Sequence, residues 1–269
     1  MHAIATAQTS AYRPLAGFGN ILRSELCKLG SVRSTLWTVL AAVVSNVGLA
    51  ALAAIFLPGQ LGSQQKQSVD PVQLSLAGLH LSQIAFGVLG VLVITSEYGT
   101  GMIRATLAAV PQRRVVLAAK AIVFAVIALI VGIVSSFAAY FVFQALLSDD
   151  SLKSSIGDPG VLRAVTGGGL YLTVLGLLGL GLGAIIRASA GAIATLFGLL
   201  FVPPILIGIL PTSWQTTIGP YIPMRAGERI YILHSHEAGL GAWPGFGVFS
   251  LYAALALTAG FVLINHRDA

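Results

Sequence analysis

Charged residues are scarce in this chain, and their scarcity excludes a water-soluble globular protein. Only 9% of the 269 residues are Asp, Glu, Lys or Arg, whereas 56% are hydrophobic. A soluble domain has about 25% charged residues, enough to cover its surface. The sequence therefore predicts an all-α membrane protein whose long apolar runs cross a lipid bilayer.

Patterns that bind metals or form disulfides are also missing. Cys27 is the only cysteine, which excludes a disulfide framework, and no Cys/His set has metal-ligand spacing. His234 and His236 lie next to Glu237, but they lack the i, i+4 spacing of a zinc-protease helix. We interpret them as part of a solvated loop and predict no metal site.

Two sources of transport energy have no signature in the chain. No phosphate loop of the form Gly-x-x-x-x-Gly-Lys-[Ser/Thr] is present, so we predict neither an ATPase site of that kind nor an enzyme. Ion-coupled carriers usually keep ionisable side chains inside their membrane helices, and here only His80 qualifies. A histidine that hydrogen-bonds between helices or at the interface is the favoured interpretation of His80, with a proton or substrate site as the alternative.

Six apolar runs are long enough to cross a bilayer, which takes about 20 helical residues. Gly179 and Gly183, in the fourth run, form a small-xxx-small pair that predicts close helix packing. We predict a single transmembrane domain over residues 1–269, with an elbow helix in 12–34, a cytoplasmic loop at 97–114 and an outer loop at 211–243. The predicted spans are 36–57, 74–95, 121–146, 164–186, 191–210 and 244–265.

Prolines mark a predicted break in the fifth span. Pro203 and Pro204 lack backbone N–H groups and clash with the preceding turn, so a regular helix is not expected to continue through them. We predict that re-entrant or interfacial segments follow this break before the sixth span begins.

An amphipathic helix is predicted before the first span. Its apolar residues recur at spacings of three and four, with polar residues between them, as in a helix that lies in the headgroup plane. Cys27 falls on the polar side as a plain surface thiol. The apolar face consists of Leu15, Phe18, Leu22, Leu26 and Leu29, and the residues predicted to lie at the membrane interface are Arg23, Lys28, Arg33 and Trp37.

The distribution of charge predicts the orientation of the chain. If the N-terminus is cytoplasmic, the cytoplasmic segments carry ten basic and three acidic residues, and the outer segments carry five basic and six acidic residues. This asymmetry follows the positive-inside rule, so we expect both termini in the cytoplasm. The net charge of +6 then needs no nucleic-acid partner.

The stretch from Ser96 to Arg114 is the most polar, motif-like part of the chain. Ile103, Leu107 and Val110 lie on one helical face, which predicts a short amphipathic helix over residues 101–110 that ends before Pro111. Glu97 has two interpretations. It pairs with a neighbouring arginine and stabilises the loop, or the helix docks in a groove of a cytoplasmic motor protein with its apolar face in contact and its ends fixing the register.

These residues resemble a known family. Ser96-Glu97-Tyr98-x-Thr100-Gly101-Met102-Ile103-Arg104, with Val110-Pro111-x-Arg113 after it, resembles the first cytoplasmic loop of ABC-2 type ABC transporter permeases, especially those of actinomycetes. The segment from Arg23 to Trp37 is similar to the elbow helix of the same permeases, although Gly30 stands where a basic residue is expected.

The resemblance implies a homodimeric permease, usually an exporter, in a bacterial plasma membrane. Separate ATP-binding cassette subunits would bind ATP and Mg, and this chain would hold no cofactor. An ion-coupled carrier or channel and a non-transporting membrane scaffold are the rival interpretations. The residues implied to couple the chain to the ATPase subunits are Glu97, Tyr98, Gly99, Thr100, Arg104, Leu107, Pro111, Arg113 and Arg114.

Overall fold

The computed structural model of the chain is built from α-helices. It describes residues 17–31, 33–60, 62, 69–110, 112–233 and 239–266, and within these ranges no strand is present. Six of the helices are long and apolar enough to cross a membrane, which confirms the predicted all-α membrane protein.

The helices begin and end close to the predicted positions. Before the first span lies α1, Phe18–Ser31, which is the described part of the predicted elbow helix. The first span follows it in sequence, and a short helix that is capped by Asp70 precedes the second span. The other helices are α2 Arg33–Phe56, α3 Pro71–Ser75, α4 Leu79–Gly99, α5 Met102–Ala109, α6 Arg113–Leu146, α7 Val161–Ile186, α8 Ser189–Ile209, α9 Thr212–Thr217, α10 Pro223–Glu228 and α11 Ala242–His266.

The second span begins and ends later than predicted. The chain forms the separate helix α3 before the span, because the Asp70 side chain accepts hydrogen bonds from the backbone N–H groups of Val72 and Gln73. The spanning helix α4 then begins at Leu79 and continues to Gly99. Glu97 therefore belongs to the last turn of a membrane helix, where a polar loop was expected.

Helix α7 lies at the centre of the bundle and contacts α4, α6 and α11. Glycines permit this close approach. A Cβ atom on Gly179 would lie 2.7 Å from the Gly87 carbonyl oxygen, and one on Gly90 would overlap the Gly176 backbone. A Cβ atom on Gly183 would lie 2.9 Å from the Ile94 side chain. The predicted close packing at Gly179 and Gly183 is confirmed.

The predicted helix break at Pro203 and Pro204 is wrong. Both prolines lie inside α8, which continues to Ile209 and is followed at Leu210 by extended backbone. A proline φ angle near −65° fits a helix, and two prolines remove only two backbone hydrogen bonds, a loss that membrane helices tolerate. The chain leaves the helix one and a half turns later, before Pro211.

The segment between the fifth and sixth spans is helical in short pieces. It contains α9, a 3₁₀ turn at Gly219–Tyr221 and α10. The Arg163 guanidinium donates hydrogen bonds to the carbonyls of Arg229, Ile230 and Ile232, and Asp70 accepts one from the Leu233 backbone N–H. These bonds attach the segment to one end of the bundle.

The two ends of the bundle differ in their accessory elements. One end, here called the elbow end, contains α1, α5, the turn between α7 and α8 and the last turn of α11. The opposite end contains α3, the 3₁₀ turn at Asp150–Leu152 and the segment with α9 and α10. The predicted coupling residues that the structure describes therefore lie at the elbow end.

Candidate coupling site

The short helix α5 connects two membrane helices at the elbow end. Gly101 has a φ angle of 72°, a left-handed conformation that glycine adopts without strain, and it turns the chain out of α4. Helix α5 then extends from Met102 to Ala109, and extended backbone at Val110 ends it. The predicted helix over 101–110 is confirmed to within one residue at each end, while Pro111 itself lies outside the described residues.

The apolar face of α5 is turned partly toward the protein. Ile103 is buried and Leu107 is half-buried, whereas Met102 and Arg104 are exposed. Ile103 lies in the first turn of α5, directly after α4, where it packs into the bundle. The exposed side of α5 is therefore the one that carries Arg104, whereas Ile103 of the predicted apolar face is turned into the bundle.

Four ionisable side chains form a buried cluster near the end of α4, just before α5 begins. Lys120 of α6 donates hydrogen bonds to Glu97 Oε1 at 2.6 Å and to Glu25 Oε2 at 2.7 Å. Lys28 of α1 donates to Glu25 Oε1 at 2.8 Å and to Glu97 Oε1 at 3.0 Å. Two carboxylates and two ammonium groups thus alternate and leave the cluster without net charge.

Burial makes this cluster different from a surface salt bridge. Glu25, Glu97 and Lys120 are almost completely buried, and only Lys28 keeps about a third of its side chain exposed. Burial by itself would lower the pKa of Lys28, but the hydrogen bonds and charges of Glu25 and Glu97 outweigh it, and the pKa is raised above 10.5. Removing one partner of such a cluster leaves an uncompensated buried charge.

The cluster joins three helices around the coupling segment. Glu97 belongs to the last turn of α4, Lys120 lies two turns into α6, and Glu25 and Lys28 belong to α1. Helix α5 lies between the first two in sequence, so the ion pairs hold the helices on either side of it in a fixed relation. The ion pairs therefore connect α1 to the two membrane helices on either side of α5.

The predicted pairing of Glu97 with a neighbouring arginine is wrong. Arg104 and Arg114 are exposed, and Arg113 donates a hydrogen bond to the carbonyl of Ile264 in α11. The side chains that pair with Glu97 are lysines from other helices, because Glu97 faces the bundle interior and not the loop. Glu97 is also too deeply buried to offer a surface to a partner.

Sequence reasoning missed the roles of Glu25 and Lys120. In the sequence-based predictions, both residues enter only as members of the ten basic and three acidic residues of the cytoplasmic segments. A signal was present, because Lys120 stands alone between Arg114 and the end of a long apolar run. A lone charge at such a position needs a partner of opposite charge, but the sequence does not show which one.

The remaining residues of the predicted site are more exposed. Tyr98 is half-buried, and the Arg187 guanidinium carbon lies 5.1 Å from the centre of its ring, within the range of a cation–π contact. Thr100 donates a hydrogen bond to the Ser96 carbonyl, and Gly99 is exposed. On α1 and α2, the predicted interface residues Arg23, Arg33 and Trp37 are exposed, as is Cys27. Lys28, predicted for the same interface, belongs to the buried cluster.

A polar pair at the opposite end consists of the exposed His80 and the half-buried Glu228. His80 Nδ1 is 3.6 Å from Glu228 Oε1, in a pair that the sequence did not predict. Burial raises the pKa of Glu228 from 4.5 to about 7, against the opposing effects of Tyr231, Arg225 and Arg229. The proton-site alternative for His80 stays a prediction, and His234 and His236 lie outside the described residues.

Neither a protein-family model nor a curated protein matches this chain.

Proposed function

We propose that this protein is the membrane permease subunit of an ATP-binding cassette transporter of the ABC-2 type and that it acts as an exporter. The supporting observation is that α5 connects two membrane helices that are bound to each other. Its two neighbouring membrane helices are joined by the buried ion pair of Glu97 and Lys120, and the same cluster contains α1. An exposed helix on such a support is suited to receive motion from a motor subunit.

The absence of a phosphate loop from the sequence is the second support. A transporter of this kind needs an energy source, and a separate ATPase that docks on α5 and the exposed Arg104 would provide it. The ATPase would bind ATP and Mg, and two permease chains would enclose the transport path. The bacterial plasma membrane, with α5 on the cytoplasmic side, is the proposed location.

The test is co-expression with a P-loop ATPase encoded beside this chain, followed by purification through a tag on the permease. We expect the ATPase to co-purify and its turnover to change on binding. Arg104→Ala should weaken that association, and Arg23→Ala, an exposed arginine on α1, serves as the control. No association in the wild-type chain, or equal association of both variants and wild type, would contradict the proposal.

An ion-coupled carrier is the competing function, and the pair of His80 and Glu228 is the observation that favours it. Transport by the purified chain in vesicles separates the two proposals. A carrier would respond to a proton gradient without ATP, whereas the proposed permease requires its ATPase and ATP.

A further inference from the structure

A cavity opens between four helices at the elbow end. It has a volume of about 450 Å³ and is bounded by α1, α2, α4 and α6. A volume of this size, within the range of about 300–1,000 Å³ typical of small-molecule sites, admits part of an amphiphile. This chain alone forms the cavity, so ligand binding there does not depend on the proposed ATPase partner or on transport.

The walls of the cavity change from polar to apolar along its length. All four residues of the ion cluster line it, and its deeper part is lined by apolar side chains such as Phe86 and Val131. Phe86 lies eleven residues before Glu97 on α4, which corresponds to roughly 16 Å along a helix axis. A long molecule with a polar head and an apolar tail fits this arrangement.

One of the residues that line the cavity, Glu97, has an unsatisfied acceptor. Glu97 Oε2 is buried and has no hydrogen-bond partner among the described residues, although Glu97 Oε1 accepts from two lysines. A buried carboxylate oxygen without a donor costs free energy. The oxygen therefore favours a ligand that brings an N–H or O–H donor.

The net charge of the ion cluster limits which ligand head can carry that donor. The cluster is neutral, so a ligand head with a net charge would leave one charge uncompensated in a buried site. A head with one ammonium and one phosphate group adds no net charge. Lys28 has three N–H donors and uses two of them on Glu25 and Glu97, which leaves one for a phosphate oxygen.

We propose that this cavity binds a zwitterionic phospholipid with a primary ammonium head, the phosphatidylethanolamine class. The ammonium donates to Glu97 Oε2, the phosphate accepts from Lys28, and an acyl chain lies between α2, α4 and α6. Lys28 contacts Glu97 and is one-third exposed, so a shift of its side chain admits the ammonium group to the carboxylate. Phosphatidylcholine has the same net charge but no N–H donor, which makes it the matched control ligand.

The experiment measures lipid binding to the delipidated full chain in detergent by native mass spectrometry. Phosphatidylethanolamine, phosphatidylcholine and anionic phosphatidylglycerol with identical acyl chains are added separately. We expect phosphatidylethanolamine to bind about tenfold more tightly than either of the others, as one charge-assisted hydrogen bond provides. Equal binding of all three lipids, or a preference for phosphatidylglycerol, would overturn the proposal.

Two valines of α6 provide variants that leave the ion cluster intact. Val131→Phe fills the cavity, whereas Val134→Phe adds the same volume on an exposed position of the same helix that does not line the cavity. We expect Val131→Phe to lose the tight binding of phosphatidylethanolamine and Val134→Phe to keep it. Glu97→Gln should bind phosphatidylethanolamine and phosphatidylcholine equally. Tight binding by Val131→Phe, or its loss in both valine variants, would contradict the site.

Discussion

Lys120 Nζ donates a hydrogen bond to Glu97 Oε1 at 2.6 Å, and this buried ion pair joins the last turn of α4 to the beginning of α6. The two residues are 23 positions apart in sequence, with the whole of α5 between them. Glu25 and Lys28 of the amphipathic helix α1 belong to the same cluster, since Glu25 binds both Lys28 and Lys120. Helix α1 is therefore attached at the same point. This attachment is the structural basis for the predictions about α5.

Replacing Lys120 with methionine should strongly destabilise the protein. The change keeps the apolar part of the side chain but leaves two buried carboxylates with only Lys28 to balance them. We expect a loss of about 3–5 kcal/mol in the free energy of unfolding, measured by equilibrium unfolding in mixed micelles. Lys153→Met, which removes an exposed lysine paired with Asp150, is the control and should have little effect.

A compensating variant tests whether charge is the cause. The double change Glu97→Gln and Lys120→Met removes one carboxylate together with one ammonium group, and it leaves the neutral pair of Glu25 and Lys28. We expect it to recover a large part of the stability lost in Lys120→Met. A double variant no more stable than the single one would show that packing, and not charge, explains the loss.

Ile103→Ala should detach α5 from the bundle. Ile103 is the buried side chain of an eight-residue helix, and a helix of that length is not stable in isolation. We expect faster amide hydrogen exchange over residues 102–109 than in wild type, with the exchange of α7 unchanged. Met102→Ala, at an exposed position of the same helix, should leave the exchange of this segment close to that of wild type.

Gly90→Ala should disrupt the packing of α4 against α7. The added methyl group would overlap the backbone of Gly176. Neither α4 nor α7 can move away without disturbing the helices packed against it. We expect a destabilisation of about 1–3 kcal/mol, as in other overpacked interiors. Gly198→Ala is the matched control, because no atom lies within 4 Å of the added group there, and unchanged stability of Gly90→Ala would contradict the close contact.

The stability of the segment around α10 should depend on pH through Glu228. Its pKa is raised from 4.5 in the unfolded chain to about 7 in the folded protein. Its contribution to stability is therefore complete below pH 4.5 and is lost as the pH rises through about 7. We expect faster hydrogen exchange over residues 219–233 at pH 8 than at pH 5.5, after correction for the intrinsic exchange rates.

Glu228→Gln should remove the pH dependence of hydrogen exchange, since the glutamine amide stays neutral at both pH 5.5 and pH 8. Asp150→Asn, an exposed carboxylate at the same end of the bundle, should retain the pH dependence of wild type. If Glu228→Gln keeps the full pH dependence, another group is responsible, and His80 at 3.6 Å is the first to test.

The sequence by itself determined the class of the fold and the position of α5. Twenty apolar residues in a row have few alternatives to a membrane helix, so six spans follow from composition and length. Helical spacing at Ile103 and Leu107 determined the short helix, and the proline at 111 predicted where it ends. These properties depend on neighbours in sequence, which is why they could be predicted.

The tertiary structure decided which side chains meet. Glu97 had several arginines nearby in sequence, yet it pairs with Lys120 and Lys28 because α4, α6 and α1 converge around it. In the same way, the continuation of α8 through Pro203 and Pro204 could not be predicted from the prolines alone. Pairing between distant charges is decided by how helices pack, and the spacing of residues along one helix does not contain that information.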